Sequence, residues 1–308
     1  MIHQQWQVLK NYARSQGVHI IGDIPIYVNF DSADAWANPE IFKLDETGSP
    51  RFVAGVPPDY FSETGQRWGN PVYDWNVLKT RKYDWWIKRL EENFQLFDVL
   101  RIDHFRGFAA YWEIPAQEKT AVNGKWVDGP REDFFTVLRT ALPNLSLIAE
   151  DLGIITPDVT ALITKFDFPG MKILLFAFGG DFKTNPYIPE NYKANCVAYT
   201  GTHDNNTVKG WFEHDISSDE KRNLISYLGR EPKSTELSWE FMQRLMRSKA
   251  NIVIFPMQDI LSLGKAARMN TPGTTQGNWQ WRLSSQHLTH RLAAQLAKLT
   301  EETQRAAR

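Results

Sequence analysis

The sequence predicts an α/β fold on parallel strands: a (β/α)8-type TIM barrel, represented by about six of its eight βα units, with long loops at the C-terminal face. Three observations lead there. Near-continuous apolar runs alternate with helix-like segments, the pattern of parallel strands covered on both faces. Asp23, Asp103, Glu150 and the pair His203–Asp204 each stand at the C-terminal end of a different apolar run. A barrel gathers such ends around one mouth, whereas an open sheet gathers only those beside a switch point. Finally, the chain opens on a helix, which in a βα unit follows a strand, so two leading βα units are expected to be missing from this chain. The whole of 1–308 reads as one N-terminally truncated barrel domain.

Residues 1–16 place Ile2, Trp6, Leu9 and Ala13 on one helical face and stop at Gly17. "VHIIGDIPIY" (18–27) is β-branched and reads as a strand. Residues 29–73, dense in Pro, Gly, Asp and Ser, read as a loop insertion. Asp74 can cap a helix that continues through "KYDWWIKRLEENFQLF" (82–97), and the strand "DVLRID" (98–103) follows directly. A second loop insertion, rich in aromatics and Gly, spans 107–130. "REDFFTVLRTAL" (131–142) reads as a helix and "LSLIAEDL" (145–152) as a strand. "TPDVTALITKF" (156–166) has Thr156 to cap and Pro157 in its first turn. "GMKILLFAF" (170–178), "NCVAYTGT" (195–202) and "NIVIFPM" (251–257) complete the strands. Helices near 218–228 and 235–248 separate the last two, and residues 284–300 form a closing helix.

Net charge is −1 over 308 residues, so no global field draws in nucleic acid or a membrane surface. No basic stripe interleaved with aromatics supports a nucleic-acid partner. The longest apolar runs are too short to span a bilayer, and the first residues lack a signal-peptide pattern. Cys196 is the single cysteine, so an intrachain disulfide is excluded; a buried structural thiol in a cytoplasmic protein is expected. Aromatic residues, 13% of the chain, are the one deviation. Flat sugar faces pack on such rings, but a large aromatic core would account for them equally.

Strand alternation puts Val99, Arg101 and Asp103 on one face of their strand and Leu100, Ile102 and His104 on the other. An arginine beside Asp103 favours the ionised carboxylate, which a carboxylate nucleophile needs and a structural ion pair shows just as well. Ile148 and Glu150 share a face. A glutamate in a partly apolar mouth tends toward a raised pKa and can donate a proton, and a solvated strand-end carboxylate fits the same residue. His203 and Asp204 fall where a strand gives way to "GTHDNNT" (201–207), where they can bind hydroxyls or cap a turn. Three carboxylates on three strand ends suit glycosyl transfer, in which one attacks the anomeric carbon and another protonates the leaving oxygen. A metal-dependent hydrolase is the competing chemistry. It lacks an early His-x-His pair here, and the histidines (3, 19, 104, 203, 214, 287, 290) are scattered. No glycine-rich loop of phosphate-binding spacing precedes a helix.

Six segments carry a resemblance: "GDIPIYVNFDSADAW" (22–36), "GVPPDYFSETGQRWGNPVYDW" (55–75), "DVLRIDHFRGF" (98–108), "LIAEDLG" (147–153), "GTHDNNT" (201–207) and "TPGTTQGNWQWR" (271–282). Together they resemble the 4-α-glucanotransferase family, the amylomaltases or disproportionating enzymes of the α-amylase superfamily. The long 55–75 segment is particular to that family. The resemblance implies transfer of an α-1,4-glucan segment between donor and acceptor sugars, with retention. It implies Asp103 as nucleophile, Glu150 as acid/base and Asp204 as transition-state stabiliser. It further implies substrate binding by Arg101, His203, Tyr60, Phe61, Gln66 and Trp68, and no metal or organic cofactor. Full members begin with further βα units, so a missing N-terminal segment is the implied partner of this chain. An α-glucoside hydrolase, or a partner-dependent glucan-binding fragment without turnover, are the alternatives.

Overall fold

The apolar runs become strands in the computed structural model, which describes residues 1–58 and 62–306 and divides into the units Met1–Gly170 and Met171–Arg308. In the first unit the order is α1 (Ile2–Ser15), β1 (Ile21–Pro25), α2 (Ala33–Ala37), β2 (Phe52–Val56), β3 (Gln66–Pro71), α3 (Trp75–Thr80), α4 (Asp84–Leu96) and β4 (Val99–Asp103). β5 (Ala110–Pro115), β6 (Lys125–Asp128), α5 (Arg131–Ala141), β7 (Leu147–Ala149) and α6 (Pro157–Lys165) follow.

β1, β4 and β7 run parallel in that order, with Asp23 opposite Arg101 and Arg101 opposite Ile148. β8 (Gly170–Ile173) opens on the unit's last residue, with Gly170 opposite Ala149. These strands place Asp103 at and Glu150 just beyond a C-terminal end, as the sequence predicts, whereas Asp23 stands in the middle of β1 and not at its end.

Other expectations about this unit are corrected as well. The segments 29–73 and 107–130 are not plain loops: among the described residues they hold an antiparallel sheet in the order β3-β2-β5-β6. Its strands carry Gly and Pro, which read as turn signals. Gly55 is required there, because a Cβ at that position would overlap the Gln66 carbonyl across the β2–β3 pair. The helix capped by Asp74, whose side chain accepts from the Asn76 and Val77 amides, does not run on to residue 97. It breaks between α3 and α4, where Lys82 and Tyr83 take φ of +54° and +56°. α1 buries only part of the predicted face, with Trp6 and Ala13 half-buried. Ile2 and Leu9 are exposed, while Lys10 is 5% exposed and donates to the carbonyls of Phe94, Gln95 and Phe97. Those carbonyls lie at the C-terminal end of α4, where unpaired acceptors and the helix dipole attract a cation. Thr156 stands at the N-cap of α6 but makes no capping bond to the helix backbone.

The core of this unit is aromatic. Tyr73, Trp86, Phe105, Phe108, Phe134 and Phe135 are fully buried, and Phe108 stacks on Phe134 at 4.8 Å between centroids.

In the second unit β8 ends at Ile173 in a 3-10 turn, Leu174–Phe176, short of the predicted Phe178. β9 (Cys196–Tyr199), α7 (Val208–Gly210), a π turn (Trp211–Asp215), α8 (Ser218–Leu228), α9 (Ser234–Met246), β10 (Ile252–Ile254), α10 (Met257–Ile260) and α11 (His290–Glu302) follow. β8, β9 and β10 are neighbours in that order, with Ile252 opposite Val197 in a parallel pair. β9 is buried throughout, Cys196 included. α8 starts on a capping box between Ser217 and Glu220. Leu296 and Leu299 of α11 pack with Met242 and Met246 of α9.

Candidate functional site

In the first unit the site grows from Arg101, a largely buried guanidinium in the middle of three carboxylates. Its Nη1 donates to both oxygens of Asp23 at 2.7 Å, and its Nη2 donates to Asp103 Oδ1 at 2.7 Å. Burial disfavours the charge of Arg101, but Asp23, then Asp103 and Glu150, outweigh it and push its pKa up. The fork of Arg101 therefore orients the Asp103 carboxylate while leaving it half-exposed at the strand end.

Glu150 sits one residue past β7. Its Oε2 accepts from the His104 amide and its Oε1 from the Leu152 amide, both at 2.7 Å. Some of its surface stays open, but protein surrounds the carboxyl on most sides. Burial first, and the Asp103 charge second, raise its pKa from 4.5 to about 7. The two backbone bonds and Arg101 hold that rise back. Asp103 and Glu150 are thus set apart: one salt-bridged to arginine, the other poised to carry a proton.

His104 departs from the strand alternation. β4 ends at Asp103, and His104 takes φ +54°, a left-handed conformation uncommon for a non-glycine residue. The turn brings its ring edge-on to Trp68, 4.7 Å between centroids, instead of beside Ile102. Burial and the Arg106 charge lower its pKa to about 3, so the ring is neutral. Its Nε2 is buried without a hydrogen-bond partner among the described residues.

Gln66 and Trp68 lie two apart on β3, and the Trp68 indole donates to Gln66 Oε1 at 3.1 Å. Trp68 also faces the Tyr27 ring at 6.5 Å. The structure therefore connects Gln66 and Trp68 to His104, and His104 to Glu150. Tyr60 and Phe61 lie outside the described residues.

In the second unit His203 and Asp204 follow β9, with His203 Nε2 3.5 Å from Asp204 Oδ2. Asn270 grips both: its amide N–H donates to the His203 carbonyl at 3.1 Å and its side chain to Asp204 Oδ1 at 2.6 Å. Arg268 donates to the Asp204 carbonyl at 2.8 Å. The half-exposed Trp279, at φ +61°, sets its ring 5.2 Å from that of His203.

Sequence reasoning named Asp23 as a strand-end residue without giving it a role, and left out His104, Arg268, Asn270 and Trp279. The segment "TPGTTQGNWQWR" carries Trp279, but nothing local to it says that it folds back onto residues 203–204. Among the described residues no group of three His, Cys, Asp or Glu side chains is arranged to hold a metal ion. No helix there is long and apolar enough to cross a membrane.

Residues 1–289 match the family model described as 4-alpha-glucanotransferase. The chain is 52% identical over 301 residues to a 4-alpha-glucanotransferase of Synechocystis, covering 97% of this chain and 59% of the relative. It is 49% identical over 313 residues to one from Thermus thermophilus, covering 99% and 62%. A relative from Oryza sativa, 47% identical, is named chloroplastic/amyloplastic. Among solved structures, the amylomaltase from Streptococcus agalactiae in complex with acarbose superposes with a TM-score of 0.94 and 41% identity, over 99% of this chain and 61% of that one. The fold is accordingly the α/β barrel fold of the amylomaltases. The chain spans between half and about three fifths of the length of these relatives. On these matches the chain belongs to the 4-alpha-glucanotransferase family.

Proposed function

We propose that this chain is the catalytic portion of a retaining 4-α-glucanotransferase, moving an α-1,4-glucan segment between maltooligosaccharide or starch-type chains. The observation that carries the reading is the split between two neighbouring carboxyl groups. Arg101 binds Asp103, while Glu150 has a pKa raised to about 7. Retaining transfer needs this division of labour: a carboxylate that attacks and a carboxylic acid that protonates the departing oxygen.

In this reading Asp103 attacks the anomeric carbon, forming a glycosyl ester, while Glu150 gives its proton to the leaving 4-oxygen. Glu150 then takes the proton from the 4-OH of the acceptor sugar, which displaces Asp103 and restores the α-linkage. Asp204, held by Asn270, stabilises the oxocarbenium-like transition state through substrate hydroxyls, with His203 and Arg101 as further contacts. Gln66 and Trp68, with Tyr60 and Phe61, bind sugar at the acceptor side and keep water away from the intermediate. The partners are glucan donor and acceptor, together with a further N-terminal segment of the kind the longer relatives possess. No metal or organic cofactor enters the proposed steps. A cytoplasmic setting belongs to the same reading, supported by the absence of a cysteine pair.

Incubation with maltotriose tests it: glucose plus a ladder of longer maltooligosaccharides is expected. Glucose and maltose without longer products would replace transfer by hydrolysis. No turnover with retained glucan affinity would make the chain a glucan-binding fragment.

A further inference from the structure

We propose that Asp259 is a positioning residue for the loop that carries His203 and Asp204, tying its two ends together so that Asp204 keeps its reacting orientation. The proposal rests on the glucanotransferase reading for what the orientation is worth, and on geometry within the second unit for the bracing itself.

Asp259 lies on α10, 1% exposed. One carboxylate oxygen accepts from the Thr200 hydroxyl at 2.6 Å and the other from the Val208 amide at 2.8 Å. Thr200 is the first residue after β9, and Val208 opens α7, so these two bonds close the base of residues 201–207. No cation pairs with Asp259 among the described residues. A buried carboxylate without a counter-charge is costly, and its retention calls for a task that an apolar side chain could not perform. Here the task is to accept two donors that approach from opposite ends of one loop.

The same stretch of chain also holds the tip of the loop. Gln258 donates to the Ala267 carbonyl at 3.2 Å, which folds residues 258–267 into a closed turn. Arg268 and Asn270 emerge from that turn to hold the Asp204 carbonyl, the Asp204 carboxylate and the His203 carbonyl. Base and tip are therefore referred to one frame. Inside the loop, Asn205 Oδ1 accepts from the Thr202 amide at 2.8 Å, and the Thr207 hydroxyl accepts from the Gly210 amide at 3.0 Å. Asn206, itself buried, donates to Asp215 at 2.9 Å across the π turn. A loop so bonded moves as one piece, so freeing its base shifts Asp204 relative to Asn270. Asp259 touches no reacting atom; it acts through Asp204.

The test uses the full chain with three variants, maltotriose kinetics and hydrogen exchange of the peptide covering 201–207. Asp259→Ala removes both bonds. Its kcat should fall roughly 10- to 100-fold with KM changed less than about twofold, and loop exchange should accelerate. Asp259→Asn keeps an acceptor for Val208 and offers Thr200 a donor, so it should restore kcat to within about threefold of wild type and restore slow exchange. Thr200→Val removes one bond without changing size and decides the matter if Asp259→Ala does not fold; it should lower kcat several-fold at unchanged KM. Unchanged kcat in Asp259→Ala or in Thr200→Val overturns the proposal, and so does an Asp259→Asn variant as slow as Asp259→Ala. If the wild-type chain does not act on maltotriose, the functional reading fails on its own. The exchange measurement then still judges the bracing, and unchanged loop exchange in Asp259→Ala overturns it.

Discussion

At the scale of single residues, the site is a problem of charge placement. Arg101 offers its two terminal nitrogens to different carboxylates, so replacing it with lysine, a single point charge, would leave Asp23 or Asp103 without its directed bond. Asp103→Asn should abolish covalent labelling by an activated glucosyl fluoride, read by mass spectrometry of the peptide that contains residue 103; persistent labelling there would remove the nucleophile assignment. In the proposed mechanism Glu150, as the proton donor, sets the pH dependence. Its pKa is raised to about 7, so the acid form that donates the proton is present below that value and is lost as pH rises through it. The rate of the glycosylation step should therefore decline above about pH 7, and Glu150→Gln should lower kcat by at least about 100-fold and remove that limb for a substrate with a good leaving group. The residue-level signal was legible in sequence for Asp103 and Glu150, because strand ends and alternation place them. It was not legible for His104, whose left-handed backbone begins where the alternation rule stops applying.

At the scale of elements, β7 and β9 were readable because they are buried on both faces and apolar throughout, while β1, which alternates between exposed and buried, and the partly exposed β10 were readable from their isoleucine- and valine-rich runs. The antiparallel sheet was not. Its strand β3, "QRWGNP", mixes charge, Gly and Pro, and owes its pairing to β2 rather than to its own pattern. Yet this sheet is what aims Gln66 and Trp68. Gly55 is the point of closest approach, so Gly55→Ala must push β3 away from β2. The variant is expected to lose on the order of 1–3 kcal/mol of stability and to raise KM for glucan more than it lowers kcat. Denaturant unfolding and maltotriose kinetics check the two halves separately; an unchanged KM would detach β3 from sugar binding. The break between α3 and α4 was equally hidden. Nothing in "LKTRKYDWW" announces two successive left-handed residues, because the helix-forming residues continue across it.

At the scale of the whole chain, the aromatic excess divides in two. Much of it is core, as in the stacked set around Phe108 and Phe134, so composition spoke first of packing. α1 works the other way: its buried face carries Lys10, while Ile2, Val8, Leu9 and Tyr12 remain exposed. Such an apolar stripe favours association. Replacing Val8 and Leu9 by glutamate should reduce any self-association seen by light scattering at a given concentration and leave the circular dichroism unchanged. The smaller share of the aromatics has a different consequence. Trp68 and Trp279 are part-exposed, and each faces a histidine ring, 4.7 and 5.2 Å away. An indole loses its red-shifted emission when a sugar ring replaces water against it. These two side chains make the protein its own optical indicator: single Trp→Phe variants would separate a signal arising beside His104 from one arising beside His203, with no label attached.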